Sequence, residues 1–198
     1  MAPIRPPTRP AISKASRFFE SADQREYALC QCINRMVRFR PVRRYFQLVS
    51  WLGNGWLWYA LILSIPFIRP EAGIGLALLM TLTGLTCTLT YKFLKRWLIR
   101  ERPFISFPSI DCGTPPLDRY SFPSGHTLHA AGFQTMLFLT TPELALTVFP
   151  FTVSVATSRI VLGLHYPTDV LAGALIGGLM GYLSTLHLLC GFLALFSG

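Results

Sequence analysis

Five apolar runs, at about 47–68, 72–94, 126–141, 142–161 and 168–189, constrain this chain more than any motif in it. Most come close to the roughly 20 residues that a helix needs to cross a bilayer. Chemically marked breaks separate them: Arg69-Pro70-Glu71, the polar stretch from Pro103 to Phe122, Thr141-Pro142-Glu143 and His165-Tyr166-Pro167. With 52% hydrophobic residues against 14% charged ones and a mean hydropathy of +0.44, the chain is too apolar for an ordinary soluble domain. The expected fold is all-α: an integral membrane helical bundle of about five spans, residues 47–198, preceded by a basic N-terminal segment, residues 1–46, that carries an amphipathic helix. The third run is short, so its polar start is expected below the membrane surface, within the bundle.

The N-terminal segment is basic and lacks a continuous apolar stretch, so it reads as a retained segment and not as a secretory signal. Residues 1–12 are Pro-rich and expected to be disordered. From about 15 to 40, Leu29, Ile33 and Met36 share one helical face among arginines, and Pro41 is expected to stop that helix. Such a helix lies on a membrane surface or packs against the protein's own loops. Ten of the eighteen Lys and Arg residues precede residue 47, and five more fall between Lys92 and Arg102. Beside apolar spans this charge points to anionic headgroups, not to nucleic acid. Five cysteines in no metal-ligand or disulfide pattern read as free thiols. Gly173, Gly177 and Gly181 form a stripe suited to close helix packing within the bundle. The four tryptophans, at or within a turn or two of span ends, read as interfacial anchors or packing residues.

Three polar groups interrupt this apolar background. In KRWLIRERP, Lys95 and Arg102 are about two helical turns apart, and Pro103 is expected to end the helix. The pair reads either as a cation cluster or as the positive flank of a span. In YSFPSGHTLHAAGF, Ser124 reads as an N-cap, Gly125 as a place where an anion can approach backbone, and His126 as a first-turn residue facing it. An ordinary serine-capped turn has the same appearance. In SRIVLGLHYPTD, Pro167 suits a first helical position, which puts His165 just before the helix and Asp169 in its first turn. The carboxylate can then reach the imidazole, either as a local cap or to fix its tautomer for nucleophilic or base chemistry. Span order brings all three groups to one side of the membrane. Three cations, two histidines, a carboxylate and a helix N-terminus describe a phosphoryl-transfer pocket.

Lys-x6-Arg-Pro, Pro-Ser-Gly-His and Ser-Arg-x5-His-x3-Asp, in that order over residues 95–169, resemble the three-part signature of the type 2 phosphatidate phosphatase superfamily of membrane lipid phosphatases. The resemblance implies that Lys95, Arg102 and Arg159 bind the phosphoryl oxygens, with Ser124 and the Gly125 backbone completing the cradle. It implies that His165 attacks phosphorus, oriented by Asp169, and that His126 protonates the leaving group and then activates water. Three cations supply the charge, so no metal and no cofactor is expected. An amphipathic first element departs from the six-span description of that family. Outside the signature, His129 reads as a packed helix residue or one that hydrogen-bonds near the pocket, His187 as an interfacial residue, and Asp111, Asp118 and Arg119 as shaping the pocket mouth or simply solvated, with no role assigned.

The expected activity is hydrolysis of a phosphomonoester or diphosphate on a lipid: phosphatidate, phosphatidylglycerophosphate or polyprenyl diphosphate. A lipid A phosphatase or a lipid phosphotransferase would use the same pocket. A transporter without chemistry would not need the histidine pair, and five spans disfavour a soluble haloperoxidase. The expected partners are the lipid phosphate and the membrane, with the protein in a bacterial inner membrane. With Lys95, Arg102 and Arg159 set aside for chemistry, fourteen Lys and Arg lie on the pocket side against Arg69 opposite. The positive-inside rule then turns the pocket toward the cytoplasm.

Overall fold

The computed structural model describes the backbone of residues 14–196, and side chains at 19 and 21–186. The Pro-rich stretch 1–12 and the side chains of His187 and Cys190 lie outside the described residues. The helices are α1 (Lys14–Asn34), α2 (Arg40–Trp51), α3 (Leu57–Ile68), α4 (Gly73–Trp97), the short α5 (Pro103–Ser106), α6 (Gly125–Thr140), α7 (Pro142–Val161) and α8 (Pro167–Phe196). Among the described residues, four stretches are long and apolar enough to cross a membrane: Arg40–Ile68, Gly73–Trp97, Pro142–Val161 and Pro167–Leu186.

The remaining apolar run is α6. Its 16 residues extend about 24 Å, short of a hydrocarbon core of roughly 30 Å. It nevertheless runs from the pocket end to the end where Arg69 Nη1 donates to the Thr140 carbonyl, at the centre of the bundle, with Leu128, Ala130, Met136 and Leu137 fully enclosed by α4, α7 and α8. The glycine stripe explains how α8 comes so close. A Cβ on Gly173 would stand 2.6 Å from the Ser124 carbonyl oxygen, and one on Gly177 or Gly181 would strike the carbonyls of Leu128 and Gly132. Only backbone without a side chain fits along this seam. Beside it, Trp58, Ile65, Met80, Phe133 and Val155 form the main apolar core.

Two prolines act differently from the sequence expectation. Pro41 stands in the first turn of α2 and starts that helix, because a residue without an N–H suits a position whose N–H has no helical partner. The preceding helix has already ended at Asn34, followed by a 3₁₀ turn over Arg35–Arg38. Pro103 likewise opens α5 and does not end α4, which stops at Trp97. The first apolar run is also broken: Leu52–Trp56 forms a π turn in which Gly55 has φ 135°, a conformation open to glycine and strained for other residues.

Helix α1 packs against the protein on its polar side. Asp23, Cys30 and Asn34 are buried, and Asn34 donates to the backbone carbonyls of Asp111 and Val161 at 2.9 Å. Leu29 and Met36 remain exposed, whereas Ile33 packs on Val37, Val161 and Leu162. The apolar face expected for this segment is therefore divided between protein and surroundings.

Candidate active site

The end of α7 sets the frame. Gly163, at φ 72°, turns the chain so that its N–H reaches the Ile160 carbonyl at 2.9 Å and the Leu164 N–H reaches Arg159 at 3.0 Å. This is the paired-bond termination that glycine makes accessible at a helix end. The His165 N–H also donates to the Arg159 carbonyl, at 3.1 Å. Arg159 and His165 are thus tied through one carbonyl oxygen. The N-terminus of α6 is tied to α8 in the same way, since the Ser124 N–H donates to the Asp169 carbonyl at 3.1 Å.

A cavity of about 740 Å³ collects Lys95, Arg102, Gly125, His126, Arg159 and His165 on its wall. Lys95 and Arg102 converge, but not through helical register: Lys95 lies in the last turn of α4, and Arg102 follows a non-helical stretch held by a bridge between Glu101 and Tyr120. They meet at Asp118. Lys95 donates to both its oxygens at 2.8 and 2.9 Å, and Arg102 donates to Oδ1 at 2.9 Å. Burial raises the Asp118 carboxyl, but the two cations outweigh it and hold it below the usual range. Arg159 is buried with Nε on Ser158 Oγ at 3.1 Å, while its Nη2 has no partner.

The tautomer of His165 follows from its neighbour. Arg102 Nη1 stands 3.2 Å from His165 Nε2, and a guanidinium can only donate, so Nε2 carries a lone pair and Nδ1 the proton. Burial, reinforced by Arg102, Lys95 and Arg159, holds this imidazole well below the ordinary 6.5 and therefore neutral. Nδ1 faces Asp169 Oδ2 at 3.6 Å, beyond hydrogen-bond distance, and has no hydrogen-bond partner among the described residues. Asp169 itself is fully buried, its Oδ2 accepting from the Tyr166 N–H at 2.9 Å.

Ser124 caps α6 through backbone geometry alone. Its hydroxyl is buried against Thr127 Oγ1 at 2.9 Å, whereas the neighbouring Gly125 lies on the cavity wall. His129 also lies on the cavity wall, its ring held at 2.8 Å to Gly125 and at 3.1 Å to both Thr88 and Gly84. Asp118 was missed because it lies in a loop without periodicity. Arg100, fully buried and 2.5 Å from Asp169 Oδ1, was missed among five neighbouring cations.

The PAP2 superfamily pattern matches residues 72–188, more than half of the chain. This protein belongs to the PAP2 superfamily. A Mycolicibacterium smegmatis decaprenylphosphoryl-5-phosphoribose phosphatase is 44% identical over 82 residues, which cover 40% of this chain and 42% of that relative. Among solved structures, Aquifex aeolicus LpxE superposes with a TM-score of 0.68 at 27% identity, covering 79% of this chain and 92% of the other. A transmembrane PAP2-type phosphatidylglycerolphosphate phosphatase from Bacillus subtilis gives 0.63 at 26%, covering 86% and 92%. With apolar helices of spanning length and transmembrane PAP2 neighbours, the chain is a membrane protein. The PAP2 match begins at the foot of α4 and contains every residue of the three motifs, whereas α1 lies wholly outside it.

Proposed function

We propose that this protein is a lipid phosphatase that removes a phosphomonoester or diphosphate phosphoryl group through a phosphohistidine. The observation that carries the reading is the unpaired Nη2 of buried Arg159 on the same cavity wall as Lys95, Arg102 and the lone pair of His165. An anion entering there displaces the Asp118 carboxylate and inherits its donors. In-line attack by His165 Nε2 forms the N–P bond as the bond to the leaving oxygen breaks, and His126 gives that oxygen its proton. The phosphorylated imidazole is cationic, and Asp169 beside Nδ1 stabilises it. His126 then takes a proton from water, the water oxygen attacks phosphorus, and the P–N bond breaks. Lys95, Arg102, Arg159 and the Gly125 backbone offset charge on the phosphoryl oxygens throughout.

The lipid part of the reading comes from the cavity's other end, which runs between α3 and α4 along Trp58, Ile62, Met80 and Leu85. The experiment is phosphate release by purified protein from phosphatidate, phosphatidylglycerophosphate, polyprenyl diphosphate and a polyprenyl-linked sugar phosphate, with and without EDTA. Release from at least one lipid, unaffected by EDTA and blocked by vanadate, is expected. No release from any of them, or activity abolished by EDTA and restored by magnesium, would sink it.

The positive charge around α1, α2 and the pocket end supports a cytoplasm-facing site in the inner membrane, which favours phosphatidylglycerophosphate, a lipid made on that side. Cys32 and Cys112 are exposed at this end. In a Cys190→Ala variant, an impermeant maleimide should label inside-out vesicles and leave intact spheroplasts unlabelled. Labelled spheroplasts would reverse the assignment and favour polyprenyl diphosphate.

A further inference from the structure

Arg100 has no place in the phosphate cradle, yet its side chain is completely enclosed. It bonds in two directions. Toward the site, Nη1 donates to Asp169 Oδ1 at 2.5 Å and to Thr168 Oγ1 at 2.7 Å. Toward α1, Nε donates to Asp23 Oδ1 at 2.8 Å and Nη2 to Glu26 Oε1 at 3.1 Å. Its guanidinium carbon lies over the Tyr166 ring, 4.0 Å from the centre, and over that of Phe19, at 5.1 Å. Glu26 also reaches α8 directly, accepting from the Thr168 N–H at 2.9 Å and the Thr168 hydroxyl at 2.7 Å. That N–H lies in the first turn of α8, where donors lack helical partners and negative charge is favoured.

We propose that α1 is a working part of the active site: Asp23 and Glu26 fix Arg100, and Arg100 fixes Asp169 in the orientation that steadies His165. A carboxylate pivots about one bond unless both oxygens are held. Oδ2 is held by the Tyr166 N–H, and Oδ1 by Arg100. The guanidinium is rigid and planar, so its own angle is set by what grips its far edge, and that grip comes from α1. Arg100 is thus a positioning residue, as are Asp23 and Glu26 one step further out. The alternative is that the same bonds merely dock α1 on the bundle. The inference rests on the proposed His165–Asp169 chemistry, and a double-mutant cycle separates the two.

Turnover of p-nitrophenyl phosphate is measured for the full chain, for Asp23→Asn, for Asp169→Asn and for the pair; Glu26→Gln repeats the cycle from the second carboxylate. Asp23→Asn is expected to lower kcat by roughly 10- to 100-fold, the scale at which the outer partner of a functional ligand acts, with KM little changed. In the Asp169→Asn background the same change should cost almost nothing, because the group it positions is already gone. A full second loss in that background, or no loss in the first, overturns the inference and leaves the phosphatase reading standing. Undiminished turnover in Asp169→Asn alone would bring down the histidine–carboxylate chemistry and this inference with it.

Discussion

Two charge clusters flank His165, built from the same groups in opposite proportion. In front, Lys95, Arg102 and Arg159 face one carboxylate, Asp118. Behind, one guanidinium, Arg100, faces three carboxylates, Asp23, Glu26 and Asp169. Burial acts against every charge in both, and the outcome depends on how many opposite charges answer it. Asp118 has two cations close by and is held below the usual range, whereas burial prevails at Asp23, which shares Arg100 with two others and is pushed above it. The front keeps an unsatisfied guanidinium nitrogen and opens on a cavity. The back has a partner on each side-chain nitrogen of Arg100 and no opening on that cavity. On the proposed reading, one cluster receives an anion and the other positions Asp169.

The largest expected effect comes from removing what stands between them. His165→Ala should abolish turnover while the protein still extracts and melts as a folded bundle. Asp169→Asn should lose roughly 10²- to 10⁴-fold, by analogy with the orienting carboxylate of another catalytic histidine. Substantial turnover in His165→Ala would erase the distinction between front and back, because neither would then serve a nucleophile.

A smaller, selective effect is expected at His126. His126→Asn should slow hydrolysis of a lipid phosphate, whose alkoxide leaves poorly, far more than hydrolysis of p-nitrophenyl phosphate, whose leaving group hardly needs a proton. Equal losses on both substrates would move His126 from acid to phosphate binder and make the front purely electrostatic.

The smallest effect sharpens the contrast most. Asp118→Asn removes the resident anion of the front cluster and should tighten vanadate binding by roughly three- to tenfold, the scale of a partly exposed ion pair. It should also lower the melting temperature at neutral pH. Because the Asp118 pKa is depressed in the fold, its stabilisation is complete above the ordinary aspartate value of 3.8 and disappears as pH falls through the lower native value. The gap in melting temperature between variant and wild type should therefore close below pH 3.8. A gap unchanged with pH, together with unaltered vanadate binding, would show that Asp118 is not the front cluster's counterion.

The front was largely legible in the sequence, because its residues lie at helix ends where proline, glycine and a first-turn carboxylate leave local marks. Lys95, Arg102, His126, Arg159 and His165 could be set side by side from span order alone. The means of convergence could not: the non-helical path from Trp97 to Arg102 depends on a bridge to Tyr120, and nothing in KRWLIRERP separates it from a longer helix. The back was illegible for a stronger reason. Asp23 and Arg100 are 77 positions apart and Arg100 and Asp169 are 69 apart, so no periodicity connects them. Asp23 and Glu26 moreover sit in a segment whose net positive charge, read from the sequence, suggests lipid headgroups and hides two carboxylates that bond inward.

The glycine seam between α6 and α8 has a mechanical consequence. Backbone on backbone leaves no flexible side chain to yield, so the two helices cannot slide along each other without collision at Gly173, Gly177 and Gly181. His126 rides at the head of one helix, and His165 at the approach to the other. The glycine seam, with the Ser124 N–H bonded to the Asp169 carbonyl at its head, thus joins the helix that begins at His126's turn to the one that follows His165.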